Sequence, residues 1–125
     1  MIVLRYALPV LMVLHGIAHL PGVLASWRLA VLSDFPYHTT LLGGRFDVGD
    51  TGMRALGALW LMAALGFVLV AIGTFVNHER WVPLAVGVMV LSLVLCVLAW
   101  PAARIGLAVN LALLAALPLA VRFVW

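Results

Sequence analysis

Four long, mainly apolar runs dominate the chain, and short polar or proline- and glycine-containing segments separate them. The runs cover about residues 6–32, 52–76, 82–100 and 102–124. Each is long enough for the roughly 20 apolar residues that an α-helix needs to cross the hydrocarbon core of a bilayer. The pattern therefore predicts an all-α fold, an integral membrane four-helix bundle that forms a single transmembrane domain over residues 1–125.

Prolines, glycines and polar residues mark the ends and bends of these helices. Pro21 lies inside the first run and should kink it, because proline leaves the carbonyl of Ile17 without its helical partner. One long loop, about residues 33–51, connects helices one and two and contains the turn-forming pair Gly43-Gly44. Residues 77–80 form a short polar turn between helices two and three.

The tryptophans agree with this division of the chain. Trp27, Trp81, Trp100 and Trp125 all fall at proposed span ends, where indole rings favour the headgroup level. Trp60 is the exception, about two turns inside the second span. Four boundary tryptophans out of five favour four spans over two or three.

Composition places the chain in a bilayer and explains its basicity. Hydrophobic residues make up 67% of the sequence and charged residues 9%, against about 25% charged residues in soluble domains. The net charge of +3 comes from single arginines scattered along the chain, which are typical interface anchors. These features predict a multi-pass protein whose partner is the lipid bilayer and exclude a nucleic-acid-binding protein.

The arginines do not determine the orientation. With four spans both termini lie on one side, here named side A, and the long loop lies on the opposite side B. Side A carries Arg5, Arg80 and Arg122, and side B carries Arg28, Arg45, Arg54 and Arg104. The near balance leaves dual topology open, whereas an even number of spans without a large domain favours cytoplasmic termini.

Three polar side chains inside the apolar runs are the main functional candidates. Polar groups in hydrocarbon are costly, so each of His15, His19 and Asn110 requires a partner. The two histidines are four residues apart and therefore share one helix face, which also includes Gly22. This face should point into the bundle, where the carbonyl of Ile17 is a candidate acceptor for a histidine N–H.

Three interpretations of the histidine pair remain open. The histidines can hold neighbouring helices in register through hydrogen bonds, line a ligand pocket or proton-handling site, or ligate a metal or haem. Gly16 follows His15, so the glutamate of a zincin motif is absent. Two histidines of one helix cannot occupy opposite faces of a haem, which would require a homodimer or another ligand type. No cofactor is predicted, and haem or metal stays an alternative.

The topology predicts a candidate ligand-binding pocket on the side B half of the bundle. His19 and Asn110 would form its floor, with His15 near the midplane. Charged residues of the long loop and of the start of helix two would cover its mouth. They are Arg45, Asp47, Asp50 and Arg54. The alternative for these charges is a solvated surface with local Arg–Asp pairs.

The second span contains a series of small residues that allow close helix packing. They are Gly57, Ala63, Ala64, Gly66 and Gly73. They support either tight packing within the bundle or a homodimer.

Several short motifs resemble one uncharacterised family of small bacterial membrane proteins. Its first helix has an HGxxHxxG-type motif, matched here by His15-Gly16-Ile17-Ala18-His19-Leu20-Pro21-Gly22. The similarity continues in Gly57-Ala58-Leu59-Trp60-Leu61, in Leu42-Gly43-Gly44-Arg45-Phe46-Asp47-Val48-Gly49-Asp50 and in Trp100-Pro101-Ala102-Ala103-Arg104-Ile105-Gly106. Val23 departs from the phenylalanine expected after Gly22. The resemblance implies four spans and a bacterial inner membrane, and it implies no established activity and no catalytic residues.

The sequence favours a non-enzymatic role. It contains no recognisable nucleophile–base pair or metal-binding motif. The leading hypothesis is an accessory subunit of a membrane-protein partner, or a binder of a lipid or another apolar small molecule. The first alternative is a small oligomeric transporter or channel, and the second is a metal- or haem-binding redox membrane protein that uses His15 and His19.

Overall fold

The apolar runs fold as α-helices, which satisfy their own backbone hydrogen bonds where lipid offers none. The computed structural model describes residues 2–125. Its elements, in chain order, are α1 (Ile2–Ile17), α2 (Leu20–Ser26), β1 (Thr40–Leu41), β2 (Phe46–Asp47), α3 (Gly49–Phe75), α4 (Trp81–Leu98) and α5 (Arg104–Val124). Four stretches are long and apolar enough to span a membrane: α1 with α2, and then α3, α4 and α5. The all-α membrane bundle and its multi-pass topology are confirmed.

The first span differs from its predicted extent. It begins at Ile2 and ends at Ser26 instead of covering residues 6–32, and a turn at residues 18–19 interrupts it. Pro21 lies in the first turn of α2, where its missing N–H costs no helical hydrogen bond. The chain therefore breaks just before the proline, and the proline starts a new helix where a kink within one helix was expected. The bounds of α3, α4 and α5 lie within about three residues of the predicted spans.

Aromatic contacts between helix ends bring the start of α1 and the end of α5 to the same side of the bundle, side A. The rings of Trp81, at the start of α4, and Trp125, at the end of α5, lie 5.0 Å apart. Tyr6 of α1 packs against Phe75 at the end of α3, with 6.2 Å between ring centroids. The four helices therefore run alternately up and down, as the sequence predicts. The connection between α2 and α3 lies on side B.

The long side B connection is attached to the bundle and is not a free loop. Strands β1 and β2 form a short antiparallel hairpin in which Thr40 pairs with Asp47. At its turn, the backbone N–H groups of Leu42 and Gly43 donate to the carbonyls of Leu98 (2.9 Å) and Trp100 (3.1 Å). These bonds hold the hairpin against the end of α4, on the side B surface.

The small residues of α3 are used inside the bundle. A Cβ atom added at three of its glycines would overlap a side chain of another element of this chain. The overlapping residues are Trp27 at Gly57, Val88 at Gly66 and Trp81 at Gly73. Ala63 and Ala64 are buried as well. The small residues therefore fit packing within the bundle, and they carry no information about a homodimer.

The closest approach to backbone occurs where α1 crosses α3. A Cβ atom on Gly16 would lie 2.9 Å from the carbonyl oxygen of Ala64 and 3.0 Å from the Cβ of Phe67. Glycine at this position lets the two helices meet at van der Waals distance. This contact presses the face of α1 that carries His15 against α3.

We expect Gly16→Ala to destabilise the protein by about 1–3 kcal/mol, because the added methyl group meets a backbone carbonyl that cannot rotate away. The higher helix propensity of alanine alone would stabilise the helix by about 1 kcal/mol. The sign of the change in unfolding free energy therefore separates packing from helix propensity. Gly87→Ala in α4 is the matched control, because its Cβ meets no atom of residues 2–125 within 4 Å. Thermal unfolding of both variants in one detergent measures the difference. Equal midpoints would contradict the close contact.

Candidate functional site

Four buried polar side chains from three of the four spans meet in the centre of the bundle. His15 lies in the last turn of α1, His19 lies in the turn before α2, Ser92 belongs to α4 and Asn110 to α5. His15 is 6% exposed, His19 is 2% exposed, and Ser92 and Asn110 are fully enclosed. The prediction that His15, His19 and Asn110 face the bundle interior is therefore confirmed.

These four residues form a closed cycle of four hydrogen bonds, here named the polar cycle. The Nε2 atom of His15 lies 3.1 Å from Oδ1 of Asn110, whose Nδ2 lies 2.6 Å from Oγ of Ser92. The same Oγ lies 2.5 Å from Nε2 of His19. The Nδ1 atom of His19 lies 2.7 Å from the main-chain carbonyl oxygen of His15, which closes the cycle. Each of the four side chains thus finds a partner that lipid cannot provide.

The break in the first span supplies the last acceptor of the polar cycle. In an uninterrupted helix the backbone N–H of His19 would bond to the carbonyl of His15. At the turn this N–H bonds to the carbonyl of Gly16 (3.0 Å), so the carbonyl of His15 accepts from the His19 side chain. The sequence suggested the carbonyl of Ile17 as the acceptor for a histidine N–H. The structure shows instead that the carbonyl of His15 is the acceptor for the His19 ring.

Helix α3 contributes an aromatic wall against which both imidazoles pack. The Phe67 ring lies 4.8 Å from the His15 ring and 5.2 Å from the His19 ring, between centroids. The Trp60 ring lies 5.5 Å from that of His19, and its indole occupies the space that a side chain at Gly22 would fill. The wall keeps the histidines in place, because rotation of either ring would collide with an enclosed aromatic side chain.

A cavity of about 270 Å³ lies beside the polar cycle. Its inner wall contains both histidines, Trp60 and Cys96, and Asp34 and Phe35 reach it from the side B connection. The rest of its wall comes from α5, the segment before it, and the region around the break in span one: Ala18, Pro21, Gly22, Ala102, Ala103, Ile105, Gly106 and Val109. Ala18, Ile105 and Val109 are exposed, so the cavity opens sideways between α2 and α5.

The structure does not place the four predicted charged residues at the mouth of this cavity. The carboxylate of Asp47 accepts the backbone N–H of Gly49 (2.9 Å) at the start of α3. Asp50 pairs with Arg28 (2.8 Å) and accepts the hydroxyl proton of Tyr37. The Arg28–Asp50 pair corresponds to the alternative of a surface with Arg–Asp pairs, whereas the Asp47 carboxylate bonds to the backbone.

The two arginines of the predicted mouth also lie elsewhere. Arg54 is exposed on α3, and its main-chain carbonyl accepts the indole N–H of Trp27 (2.9 Å). Arg45 lines a separate surface depression next to Trp100. The charged residue that does reach the cavity is Asp34, which the sequence analysis did not select.

Ser92 is the second site residue that the sequence analysis did not select. Serines in membrane helices often bond back to their own helix, so a single serine is weak evidence for a site. A better signal is its spacing from Cys96, since residues four apart share a helix face. Both contact Asn110, whose Nδ2 lies 2.6 Å from Ser92 Oγ and 3.7 Å from Cys96 Sγ.

The hydrogen bonds leave few ligand atoms for a metal. Both ring nitrogens of His19 and the Nε2 of His15 are engaged in the polar cycle. Among residues 2–125, no group of three or more His, Cys, Asp or Glu side chains is placed to hold a metal ion. Of the ring nitrogens of His15 and His19, the Nδ1 of His15 is the one without a hydrogen-bond partner among the described residues.

Comparison with known proteins gives no relative for this chain: no family model, no curated protein and no solved structure matches it. The geometry of the polar cycle and its cavity is therefore the basis for the function proposed below.

Because the polar cycle is closed, its members should be energetically coupled. Asn110→Leu removes the partner of the Nε2 of His15, and Ser92→Ala removes a partner of both His19 and Asn110. We expect each to cost about 1–3 kcal/mol and the double variant to cost less than the sum, with a coupling of about 0.5–3 kcal/mol. Reversible unfolding of the wild-type protein, the two single variants and the double variant in mixed micelles measures this coupling free energy.

Thr74→Val is the control for that experiment. The Thr74 hydroxyl is equally buried but bonds to the carbonyl of Ala71 in its own helix (2.7 Å). Loss of this hydroxyl leaves no side chain on another helix without a partner. We therefore expect a small change in the free energy of unfolding, which adds to that of Asn110→Leu. Strict additivity between Ser92→Ala and Asn110→Leu would contradict the polar cycle.

The contacts of the side B connection predict that the Tyr37 hydroxyl loses its proton at a higher pH than a free tyrosine. The bond from its hydroxyl to the Asp50 carboxylate raises the pKa of Tyr37, because the bond and the negative charge both favour the neutral phenol. Asp50→Asn should therefore lower the pKa of Tyr37, so that the phenolate forms at lower pH. Absorbance titration in a Tyr6→Phe background reports Tyr37 alone.

Asp47→Asn serves as the matched control, because Asp47 caps the backbone of Gly49 and does not contact the phenol. An unchanged titration midpoint in Asp50→Asn would show that the Tyr37–Asp50 bond does not form in solution.

Proposed function

We propose that this protein is a non-enzymatic membrane protein that binds a small lipid-soluble molecule in the cavity beside the polar cycle. The observation that carries the proposal is a cavity of about 270 Å³ with a polar inner wall, enclosed by a membrane-spanning bundle. Ligand sites have this composition, mainly apolar walls with a few fixed polar groups, and volumes from about 300 Å³ upward. The volume lies just below this range, which corresponds to a ligand smaller than a drug-sized molecule.

The position of the opening supports entry from the bilayer. The exposed rim residues Ala18 and Val109 belong to the first and last of the four candidate spans. Helix α5 is the span least buried within the bundle: 17% of its apolar stretch is buried in the protein, against 39–44% for the other three spans. A ligand dissolved in lipid can therefore reach the cavity between α2 and α5 without crossing the side B surface.

The polar inner wall is better suited to binding than to catalysis. Three of the four histidine nitrogens are held in hydrogen bonds to neutral partners, and no carboxylate lies among those partners to activate them. The resemblance of the first helix to small bacterial membrane proteins adds the bacterial inner membrane as the proposed location. A role as accessory subunit is compatible with this proposal if the partner delivers or receives the ligand.

A cavity-filling substitution tests the proposal. Ala18 is exposed and lines the cavity, so Ala18→Leu should fill the opening without disturbing buried packing. We expect native mass spectrometry from mild detergent to detect a small molecule on the wild-type protein and at least tenfold less of it on this variant, since the larger leucine side chain at the rim excludes the ligand sterically.

Ala58→Leu is the matched control, because Ala58 is an equally exposed alanine on a different groove, between α3 and α4. It should retain the bound molecule. Equal occupancy of both variants, or a wild-type protein that carries no small molecule in native membranes, would contradict the proposed function.

A further inference from the structure

The direction of the hydrogen bonds in the polar cycle follows from counting protons. The main-chain carbonyl of His15 can only accept, so the Nδ1 of His19 carries a proton and donates it. A neutral imidazole has one N–H, and the neutral form is favoured inside a bilayer, where an unpaired charge is costly. The Nε2 of His19 is therefore an acceptor, and the hydroxyl of Ser92 donates to it.

This assignment fixes the amide orientation of Asn110. Ser92 has a single hydroxyl proton, which it has given to His19, so its oxygen must accept from the Nδ2 of Asn110. The flipped amide would place two acceptors, Oδ1 of Asn110 and Nε2 of His19, against one hydroxyl proton. Only the orientation with Nδ2 toward Ser92 satisfies both contacts.

The tautomer of His15 follows from the amide orientation of Asn110. With Nδ2 directed to Ser92, the Oδ1 of Asn110 faces the Nε2 of His15, and an amide oxygen can only accept. The Nε2 of His15 is therefore protonated, and its Nδ1 carries a lone pair. The two histidines are thus opposite tautomers, Nε2–H in His15 and Nδ1–H in His19.

The free lone pair of His15 is available to a ligand. The Nδ1 atom has no hydrogen-bond partner among residues 2–125, and it is not one of the fully enclosed atoms that lack a partner. His15 lines the cavity, and Asp34 adds a second acceptor near the opening. No arginine lies in the wall formed by the described residues, so nothing there attracts an anion.

We infer that the cavity selects molecules that donate a hydrogen bond, such as lipid-soluble alcohols or phenols, over ethers, esters and anionic headgroups. This inference rests on the proposed function and adds the polarity of the ligand. His15 is the specificity-determining residue, because its Nδ1 accepts the ligand hydroxyl proton. Asn110 and Ser92 are positioning residues, because they fix the tautomer of His15 without touching the ligand.

The first test needs no ligand. Nitrogen-15 NMR of the histidine-labelled protein in lipid separates protonated from unprotonated ring nitrogens. A His38→Gln, His78→Gln background removes the signals of the two histidines outside the spans. We expect two neutral imidazoles with opposite tautomers, Nε2–H for His15 and Nδ1–H for His19. A proton on the Nδ1 of His15, or a doubly protonated His19, would reverse the cycle and overturn the inference.

The second test compares two probes that differ in one proton. We expect 1-naphthol to bind about fivefold more tightly than 1-methoxynaphthalene, since the ether loses one hydrogen bond to a neutral acceptor. Binding is measured by naphthalene fluorescence in the same lipid nanodiscs, after correction for partition into empty nanodiscs. Naphthol, and not the ether, should shift the His15 Nδ1 resonance.

The control variants separate the two proposals. Ala18→Leu should abolish binding of both probes, and Ala58→Leu should leave both unchanged. If the ether binds as tightly as naphthol and Ala18→Leu abolishes both, the inference is wrong and the proposed function stands. If neither probe binds, the proposed function is contradicted, and the NMR result alone decides the direction of the polar cycle.

Discussion

The polar cycle is the interaction on which the rest of this structure depends. Within a bilayer, a polar side chain that loses its partner has no water to replace it, so the four residues must satisfy one another. They come from the first, third and fourth spans, and the second span supplies the aromatic wall of Phe67 and Trp60. All four spans therefore meet at one place, which fixes their rotation and depth in a bundle whose other contacts are mainly non-directional.

The local sequence around the break in span one makes this arrangement possible. Pro21 starts α2, and the turn before it releases the carbonyl of His15 for the His19 side chain. Gly16 and Gly22 allow α3 to approach, the first by its backbone and the second by the indole of Trp60. Two glycines, two histidines and a proline within eight residues thus act together, since each creates space or a free acceptor that another one uses.

The sequence predicted the features that depend on local composition. The four spans follow from apolar length, and the inward orientation of His15, His19 and Asn110 follows from the cost of polar groups in lipid. The side B charges could not be placed in this way, because Asp50 has several cations within reach and its choice of Arg28 depends on where the connection turns. Asp34 reaches the cavity for the same reason, through the path of a connection whose turns apolar periodicity does not specify.

In the proposed function, the structural and the ligand-binding roles of the histidines are two aspects of one arrangement. A histidine whose partners were only water or hydroxyl groups would need no defined tautomer, since such partners can either donate or accept. Here the carbonyl of His15 accepts at one point of a closed cycle, and proton counting carries that constraint through Ser92 and Asn110 back to the His15 ring. The bonds that stabilise the bundle therefore also determine that the remaining ring nitrogen, Nδ1 of His15, is a hydrogen-bond acceptor. A substitution that breaks the cycle should alter both stability and ligand preference, because neither property has an independent source in these four residues.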